Sequence, residues 1–203
     1  MVDQTVFIGK EAPDFTSKAI MPDGRIEESF NLKQYLGGKK GIVFFYPLNF
    51  TFVCPTEIIA FNNRIGEFTS RDTKIVAVSV DSHFSHLAWK NIPTNKGGIG
   101  NIQFPLVSDL NKAISTAYNV LNEDSISLRG TFLVDKDFMI RHFVVNDLPL
   151  GRNVDETLRM IDALDYHNTH GEVCPAGWQK EQEGMNPTQQ GVTDYLISNA
   201  EKL

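Results

Sequence analysis

One stretch of sequence decides the fold: Phe44-Phe45-Tyr46-Pro47-Leu48-Asn49-Phe50-Thr51-Phe52-Val53-Cys54-Pro55-Thr56-Glu57. It begins with apolar and aromatic residues, which are typical of a buried strand. Pro55 fits only the first turn of a helix because it has no N–H to donate. After it, apolar residues recur at helical spacing, at Ile58, Phe61, Ile65 and Phe68. The stretch therefore predicts a strand followed by a helix, with Cys54 at the junction.

Cys54 is expected in the first turn of that helix, with either Thr51 or Cys54 itself as the N-cap. The N–H groups there lack intrahelical partners and the helix dipole is positive, so a thiolate anion is favoured and becomes a usable nucleophile. A buried structural cysteine is the alternative interpretation. Prolines on both sides, at Pro47 and Pro55, and the Thr51 hydroxyl three residues before the sulfur favour chemistry.

The neighbouring sequence predicts an α/β protein. Two apolar runs, 41–46 and 74–80, read as buried strands, and the helix predicted at 54–70 between them makes the pair parallel. A thioredoxin-like fold is therefore expected, with a central mixed sheet flanked by helices and a C-terminal arm. The further predicted elements are a helix capped by Asp81 or Ser82 that carries Phe84, Leu87 and Ala88, a helix at 110–118, a hairpin of 131–134 with 139–145, a helix opened by an Asn153–Glu156 capping box, and a last helix at 192–203.

The chain is expected to form a thioredoxin-like domain at 1–165 and an arm at 166–203. The composition changes at this point, and Gly, Pro, Gln and Asn dominate 184–191. Such an arm needs a surface to lie on, and another subunit would supply one.

The overall composition is that of a globular protein of 203 residues, with 41% apolar and 22% charged residues. The net charge of −6 and the lack of a basic stripe argue against nucleic acid as a partner. No apolar run approaches the ~20 residues that cross a bilayer, so no membrane is expected. The N-terminus shows no basic start followed by an apolar run, so we expect no signal peptide and a cytoplasmic location.

The chain contains two cysteines, Cys54 and Cys174, and no Cys-x-x-Cys. A dithiol reductase of the thioredoxin type is therefore excluded. A plain structural disulfide is not expected in a reducing cytosol, and two separated cysteines suggest a transient, catalytic disulfide.

No cofactor or metal is expected. The glycine loop at 96–101 lacks the Gly-Lys-Ser/Thr that a phosphate cradle requires. The pairs His83/His86 and His167/His170 are interpreted as solvated helix-end histidines. A structural zinc site formed by His167, His170 and Cys174 is a rival hypothesis, but a fourth ligand is not found nearby.

With these residues in view, the chain resembles a typical two-cysteine peroxiredoxin, of the group shared by alkyl hydroperoxide reductase and thioredoxin peroxidase. The similarity runs from about Ala12 to Tyr195, and its most specific element is Pro47-x-x-x-Thr51-x-x-Cys54. The supporting stretches are Ser79-Val80-Asp81-Ser82 with Trp89, Leu128-Arg129-Gly130-Thr131-Phe132, and Gly171-Glu172-Val173-Cys174-Pro175-Ala176-Gly177-Trp178.

The resemblance implies a thiol peroxidase acting on hydrogen peroxide and organic hydroperoxides. Cys54 would be the peroxidatic cysteine that becomes a sulfenic acid, and Cys174 of the partner subunit would resolve it as an intermolecular disulfide. Thioredoxin or a flavoprotein disulfide reductase would then reduce that disulfide. A homodimer, commonly assembled into a ring of five dimers, is also implied. A holdase chaperone is the alternative from another class.

The same resemblance suggests roles around the sulfur. Thr51 would offer a hydroxyl, and Arg129, a residue that could otherwise lie on the surface, would hold both the sulfur and the peroxide oxygen. Glu57, otherwise a solvated first-turn acid, would orient Arg129 by a salt bridge. Pro47, otherwise a strand terminator, would shield the sulfur from water. Arg152 is a candidate second cation.

Two positions depart from the family pattern. Asn49 stands where an aspartate is often found before Phe50, and we expect it to face no obvious chemistry. Tyr195-Leu196 replaces the Tyr-Phe of oxidation-sensitive members, although Gly97-Gly98-Ile99-Gly100 keeps the companion glycine motif.

Overall fold

The computed structural model describes residues 7–203, and its backbone divides into two compact units, Met1–Val154 and Asp155–Leu203. The first unit contains a seven-stranded sheet and its helices. The second contains all but the first residue of a long helix, followed by the C-terminal segment with Cys174. The functional boundary at 165/166 that the composition suggests stays a prediction.

The first unit alternates strands with helices. Its elements, in chain order, are β1 Thr16–Ile20, β2 Ile26–Asn31, α1 Leu32–Leu36, β3 Lys40–Phe45, α2 Cys54–Asn63, α3 Ile65–Ser70, β4 Thr73–Ser79, α4 His83–Lys90, a 3₁₀ turn Thr94–Lys96, β5 Leu106–Ser108, α5 Ala113–Ala117, β6 Arg129–Val134 and β7 Ile140–Asn146. The remaining elements are α6 Val154–His170, α7 Gln189–Asn199 and a 3₁₀ turn Ala200–Lys202.

The sheet is mixed, with the strand order β2-β1-β5-β4-β3-β6-β7. The strands β3, β4 and β5 are parallel, whereas β1, β2, β6 and β7 pair antiparallel with their neighbours. Parallel strands need a crossover element, and α2 with α3 supplies it between β3 and β4. The predicted parallel pair and the predicted hairpin are both present. The thioredoxin-like fold is confirmed by the likeness to solved structures described below.

Strand β3 is buried on both faces, as its continuous apolar sequence predicts. Phe44 stacks on Phe61 of α2 with ring centroids 4.5 Å apart. The next residue, Phe45, faces the other side and contacts Tyr118 and Phe132, at 5.0 and 5.8 Å. Because side chains alternate along a strand, these two phenylalanines join separate layers of the core. The carboxyl end of β3 is thereby held rigidly where the chain turns toward Cys54.

The helix that begins at Cys54 differs from the prediction in two respects. Its N-cap is Val53, in helical conformation and without a side-chain cap, so neither Thr51 nor Cys54 caps it. The helix also ends at Asn63 and restarts at Ile65, because Arg64 leaves the helical region at φ −104° and ψ 9°. The single helix predicted over 54–70 is therefore two helices.

Three other helices also depart from the sequence predictions. In α4, Ser82 is the N-cap as predicted, but Phe84 is 65% exposed and the buried residues are His83, His86, Trp89 and Lys90. Helix α5 is shorter than predicted because Lys112 adopts a left-handed φ of 63°, which delays the helix start to Ala113. Helix α7 starts three residues earlier than predicted, at Gln189, with Thr188 as its N-cap.

The sequence analysis made no prediction for β1, β2, α1 or β5. These elements are short, and β1 and β2 carry polar residues on their exposed positions. No helix within residues 7–203 has the length and apolar character to span a lipid bilayer.

Candidate active site

Cys54 is the first residue of α2, and its side chain is completely buried. The Val53 carbonyl accepts the N–H groups of Thr56 and Glu57, and Pro55 has no N–H. The Cys54 N–H lies at the helix N-terminus and is available to a bound oxygen atom. Cys54 thus lies at the positive N-terminal end of the helix, which is the position predicted from the sequence.

Arg129, the first residue of β6, brings a cation to the sulfur. Its Nη1 lies 3.5 Å from the Cys54 Sγ and 2.6 Å from Glu57 Oε2, and its Nε donates to the Leu148 carbonyl at 2.7 Å. The guanidinium is buried and fixed at three points, so it cannot swing away into solvent. The next residue is a glycine for a steric reason, since a Cβ at Gly130 would lie 2.8 Å from Val120.

Glu57 connects two buried arginines. Its Oε1 accepts the backbone N–H of Arg152 at 3.1 Å and the Nε of Arg152 at 3.0 Å, while Oε2 holds Arg129. Each of these three side chains is at most 5% exposed. The predicted salt bridge from Glu57 to Arg129 is present, and Arg152, considered only as a candidate second cation, belongs to the same ion cluster.

Arg152 extends this cluster to the end of β3. Its Nη1 donates to the Gly130 carbonyl at 2.7 Å, its Nη2 donates to the Phe45 carbonyl, and its guanidinium lies over the Phe44 ring. Burial lowers the pKa of Arg152, and the attraction of Glu57 opposes that shift. The side chain therefore ties the end of β3 to Glu57 and adds a second positive charge behind the sulfur.

Thr51 and Pro47 lie in the loop between β3 and α2. The Thr51 Oγ1 donates to the Leu48 carbonyl at 2.9 Å, which leaves the oxygen's lone pairs as acceptors. Pro47 is buried directly after the strand. The fold thus brings Cys54, Glu57 and Arg129 into direct contact, and it places Thr51 and Pro47 in the loop that leads to the sulfur.

Asn49 lies in the same loop, and its burial and side-chain hydrogen bonds were not predicted from the sequence. The residue is only 5% exposed and bonds to Tyr46, Ser85 and His86 through its side chain. These partners lie up to 37 positions away in sequence, so no local pattern marks them. Contrary to the expectation of no obvious chemistry, Asn49 is a buried connection between the loop and α4.

Cys174 lies in the second unit and has a different environment. Its Sγ lies 3.5 Å from the Ala163 carbonyl of α6, in a geometry that requires a protonated thiol as donor. Burial raises the pKa of Cys174, and the charge of Arg159 partly offsets the shift. Arg159 also donates to the Trp178 carbonyl at 3.0 Å, beyond the Pro175–Trp178 turn that follows the cysteine.

The histidines do not form a metal site in the described residues. No three His, Cys, Asp or Glu side chains are grouped closely enough to hold an ion there. His167 bonds to the Glu172 carbonyl and His170 packs on Tyr166. His83 and His86 are 9% and 0% exposed, so the interpretation of these two as solvated histidines is wrong.

Comparison with known proteins identifies the family. The model of the AhpC/TSA family matches residues 8–143, more than half of the chain. The chain belongs to this family. A second model, the C-terminal domain of 1-Cys peroxiredoxin, matches residues 163–197. The AhpC/TSA match spans the whole Cys54–Glu57–Arg129 cluster, and the second match spans Cys174.

Individual AhpC/TSA proteins agree over nearly the full length. Alkyl hydroperoxide reductase C of Helicobacter pylori is 52% identical over 198 residues, covering 98% of this chain and all of the relative. The reduced 2-Cys peroxiredoxin of Plasmodium vivax has a TM-score of 0.92 and 47% identity, with 96% of this chain and 100% of that chain covered. Thioredoxin peroxidase I of Plasmodium yoelii has a TM-score of 0.76 and 47% identity, over 86% and 99%. The peroxiredoxin resemblance and the thioredoxin-like fold are confirmed.

Proposed function

We propose that the protein is a thiol peroxidase that reduces hydrogen peroxide and organic hydroperoxides through Cys54. The observation that carries this proposal is the buried cluster in which Arg129 Nη1 contacts the Cys54 Sγ at 3.5 Å and is held by Glu57 at 2.6 Å. Similarity to an alkyl hydroperoxide reductase and to peroxiredoxins over almost the whole chain supports the same conclusion.

The first step oxidises Cys54. Its thiolate attacks one peroxide oxygen, so that an S–O bond forms as the O–O bond breaks. The bonding electron pair leaves on the second oxygen, which takes a proton and departs as water or an alcohol. Cys54 becomes a sulfenic acid, and the peroxide is reduced.

Ionisation of the thiol accounts for only part of a fast reaction. A free thiol of pKa ~8.5 is a few per cent thiolate at pH 7, so complete ionisation raises the reactive fraction by roughly thirty-fold at most. The remaining acceleration requires fixed donors where negative charge develops on the leaving oxygen. The Arg129 guanidinium and the Cys54 N–H are placed to serve as these donors.

Glu57 and Arg152 act as positioning residues in this mechanism. Both carboxylate oxygens of Glu57 are used: Oε1 accepts from Arg152, and Oε2 accepts from both arginines, which fixes the orientation of Arg129 relative to the sulfur. Thr51 orients the peroxide: since its own hydrogen goes to Leu48, its oxygen accepts the hydroperoxide O–H. The buried Pro47 limits the access of water and bulk thiols to the sulfur.

The second step uses Cys174 as the resolving cysteine. Its thiolate, from a partner subunit, attacks the Cys54 sulfur, a disulfide forms, and the hydroxyl leaves as water after protonation. A dithiol reductant, thioredoxin or a flavoprotein disulfide reductase, then returns both cysteines to thiols by exchange. The similarity to a protein described as a thioredoxin peroxidase favours thioredoxin.

Self-association follows from the same mechanism. Strand β7 forms one edge of the sheet, and its Val144 and Val145 are 40% and 38% exposed. An apolar sheet edge is suited to pairing with a second copy. We propose a homodimer that assembles into a ring of five dimers, with residues 166–203 as the exchanging arm, in the cytoplasm, where reducing conditions keep both cysteines free.

The test is peroxide consumption by two matched variants, Cys54→Ser and Cys174→Ser. Cys54→Ser should consume hydrogen peroxide at least about 10³-fold more slowly than the parent, because the nucleophile is missing. Cys174→Ser should keep the first turnover and lose recycling by thioredoxin. Equal consumption by Cys54→Ser and the parent would refute the proposal.

A further inference from the structure

The loop that joins β3 to Cys54 is fixed to the protein mainly through Asn49. Phe50 and Phe52 are 54% and 92% exposed, whereas Asn49 is 5% exposed. Between the buried Pro47 and the buried Cys54, Asn49 is the one buried residue of this fully described segment. Polar contacts at Asn49 are therefore the main buried contacts that hold the loop.

Those contacts join the loop to Tyr46 at its own start, to helix α4 and to the segment that precedes α4. The Asn49 N–H donates to Asp81 Oδ2 at 2.9 Å, after β4. Its Oδ1 accepts the Tyr46 hydroxyl at 2.8 Å, and its Nδ2 donates to Ser85 Oγ at 2.8 Å. The same Nδ2 lies 3.0 Å from Nδ1 of His86. Every hydrogen-bonding group of the amide thus has a partner.

This arrangement assigns the tautomer of His86. Nδ1 of His86 also lies 3.3 Å from Oδ1 of Asn49 and from the Tyr46 hydroxyl. Because its shortest contact, at 3.0 Å, is with the Nδ2 donor, we assign Nδ1 as the acceptor. The proton then lies on Nε2, which donates to the Val107 carbonyl of β5 at 3.2 Å. Burial lowers the pKa of His86 to about 4, although Asp81 opposes that shift; His83 and Tyr46 are the other titratable groups around the ring.

The residue after Asn49 is strained. Phe50 has a φ of 58°, in the left-handed region that a non-glycine residue rarely adopts. Its ring lies 5.7 Å from that of Trp89 on α4. A strained residue keeps its conformation only where contacts of the surrounding residues hold it there. The neighbouring Asn49 provides such contacts through its buried hydrogen bonds.

We infer that Asn49 is a positioning residue for the peroxide reaction, which holds the strained loop so that Thr51 and Cys54 keep their places. This inference rests on the proposed function. Asn49 acts through the loop and touches neither the sulfur nor the substrate.

The amide of Asn49 also distinguishes this chain from an aspartate-containing one. A carboxylate at position 49 accepts hydrogen bonds and donates none, so it favours a proton on Nδ1 of His86. With Nε2 donating to Val107, the imidazolium satisfies both partners. Asn49→Asp should therefore raise the pKa of His86 and make the loop sensitive to pH, whereas the parent loop is not.

The experiment compares the parent with Asn49→Ala, Asn49→Asp and the control Asn122→Ala, a turn asparagine of the same unit. We measure the rate constant for Cys54 oxidation by hydrogen peroxide between pH 5 and 8, and the ¹⁵N chemical shifts of the His86 ring. Asn49→Ala should react about 10- to 100-fold more slowly, the range expected when a reacting group is misplaced by about 1 Å. Asn122→Ala should match the parent.

Asn49→Asp should approach the parental rate at low pH and lose it as pH rises through the raised pKa of His86. In the parent, the His86 shifts should report a neutral ring with its proton on Nε2. Parental rates in both Asn49 variants, or a parental ring protonated on Nδ1, would overturn the inference. If the parent itself does not consume peroxide, the proposed function fails, and the His86 shifts still decide whether Asn49 anchors the loop as described.

Discussion

The two cysteines lie in regions that treat a thiol in opposite ways. Cys54 begins a helix, is completely buried and lies 3.5 Å from a fixed guanidinium. The Cys174 thiol donates a hydrogen bond to the Ala163 carbonyl, and burial raises the pKa of this thiol. The first region places a fixed cation beside its sulfur, and the second favours the protonated thiol. In the proposed mechanism, Cys54 reacts first, with the peroxide, and Cys174 reacts in the second step.

In the proposed mechanism, this difference in environment gives the two cysteines different roles, attack on the peroxide for Cys54 and resolution for Cys174. A thiol that is always ionised would react wherever a peroxide or a disulfide reached it. In the proposed mechanism, the raised pKa of Cys174 limits its attack until its sulfur leaves the Ala163 carbonyl, while Cys54 needs no such movement to react. The ion cluster of the first region and Arg159 of the second, which pairs with Glu156, are the charged groups that differ between the two sulfurs.

The largest expected effect comes from breaking the buried ion cluster with Glu57→Gln. Two buried arginines then lose their shared carboxylate, which should cost about 3–5 kcal/mol of the free energy of unfolding. Arg129 would also lose its orientation, so the rate of Cys54 oxidation should fall by about 100-fold. Stopped-flow peroxide kinetics and urea unfolding measure the two effects.

The matched control is Glu156→Gln, which removes the exposed carboxylate that pairs with Arg159 in the second region. That glutamate side chain is 46% exposed, so its loss should cost less than about 1 kcal/mol and leave Cys54 oxidation unchanged. Equal effects of the two substitutions would show that the buried cluster has no special role.

An intermediate effect is expected from acid, and it should fall on the first region. His86 is neutral when folded, with a pKa lowered to about 4 by burial, whereas an unfolded histidine titrates near 6.5. As pH falls from 6.5 to 4, His86 takes up a proton in the unfolded chain but stays neutral in the folded chain. The free energy of unfolding therefore declines by up to about 3 kcal/mol. Urea unfolding at pH 7, 5.5 and 4.5 measures the loss.

Substitution controls isolate this contribution of His86. His86→Asn should flatten the decline between pH 6.5 and 4, and His170→Asn, a change at an exposed histidine of the second region, should leave it as in the parent. A decline that is the same in all three proteins would contradict a role for His86.

The smallest expected effect concerns Arg159 and the second region. Because its charge partly offsets the raised pKa of Cys174, Arg159→Gln should raise that pKa further. Alkylation of Cys174 by iodoacetamide at pH 8 should then slow by a few-fold in a Cys54→Ser background. Arg141→Gln removes a charge from β7 and should leave the rate unchanged; a slower rate there would point to net charge instead.

The sequence predicts the first region well because local rules govern it. Proline at the start of a helix places Cys54, and one helical turn places Glu57 beside it. The role of Arg129 came from the family resemblance, since Arg129 lies 75 positions from Cys54. Cys174 was a candidate because the chain has two separated cysteines and no Cys-x-x-Cys, and the resemblance supplied its resolving role. Their catalytic roles stay predictions.

Other features of the site depend on tertiary contacts that no local pattern shows. The Arg152–Glu57 bonds join residues 95 positions apart, and the distant partners of Asn49 lie on α4 and just before it. The buried face of α4 carries two histidines and a lysine. The hydrophobic periodicity of the sequence therefore predicts the wrong face of this helix as buried. Burial of polar groups with satisfied hydrogen bonds is invisible to a hydrophobic pattern.

The most direct test of the account is the fate of the two sulfurs after one equivalent of hydrogen peroxide. Reduced parent protein is treated, separated on a non-reducing gel and analysed by mass spectrometry of its peptides. We predict that the 22.8 kDa chain shifts to a covalent dimer linked through Cys54 and Cys174 and returns to the monomer with dithiothreitol. A chain that stays monomeric, with Cys54 unmodified or with Cys174 oxidised first, would contradict the assignment of the two regions.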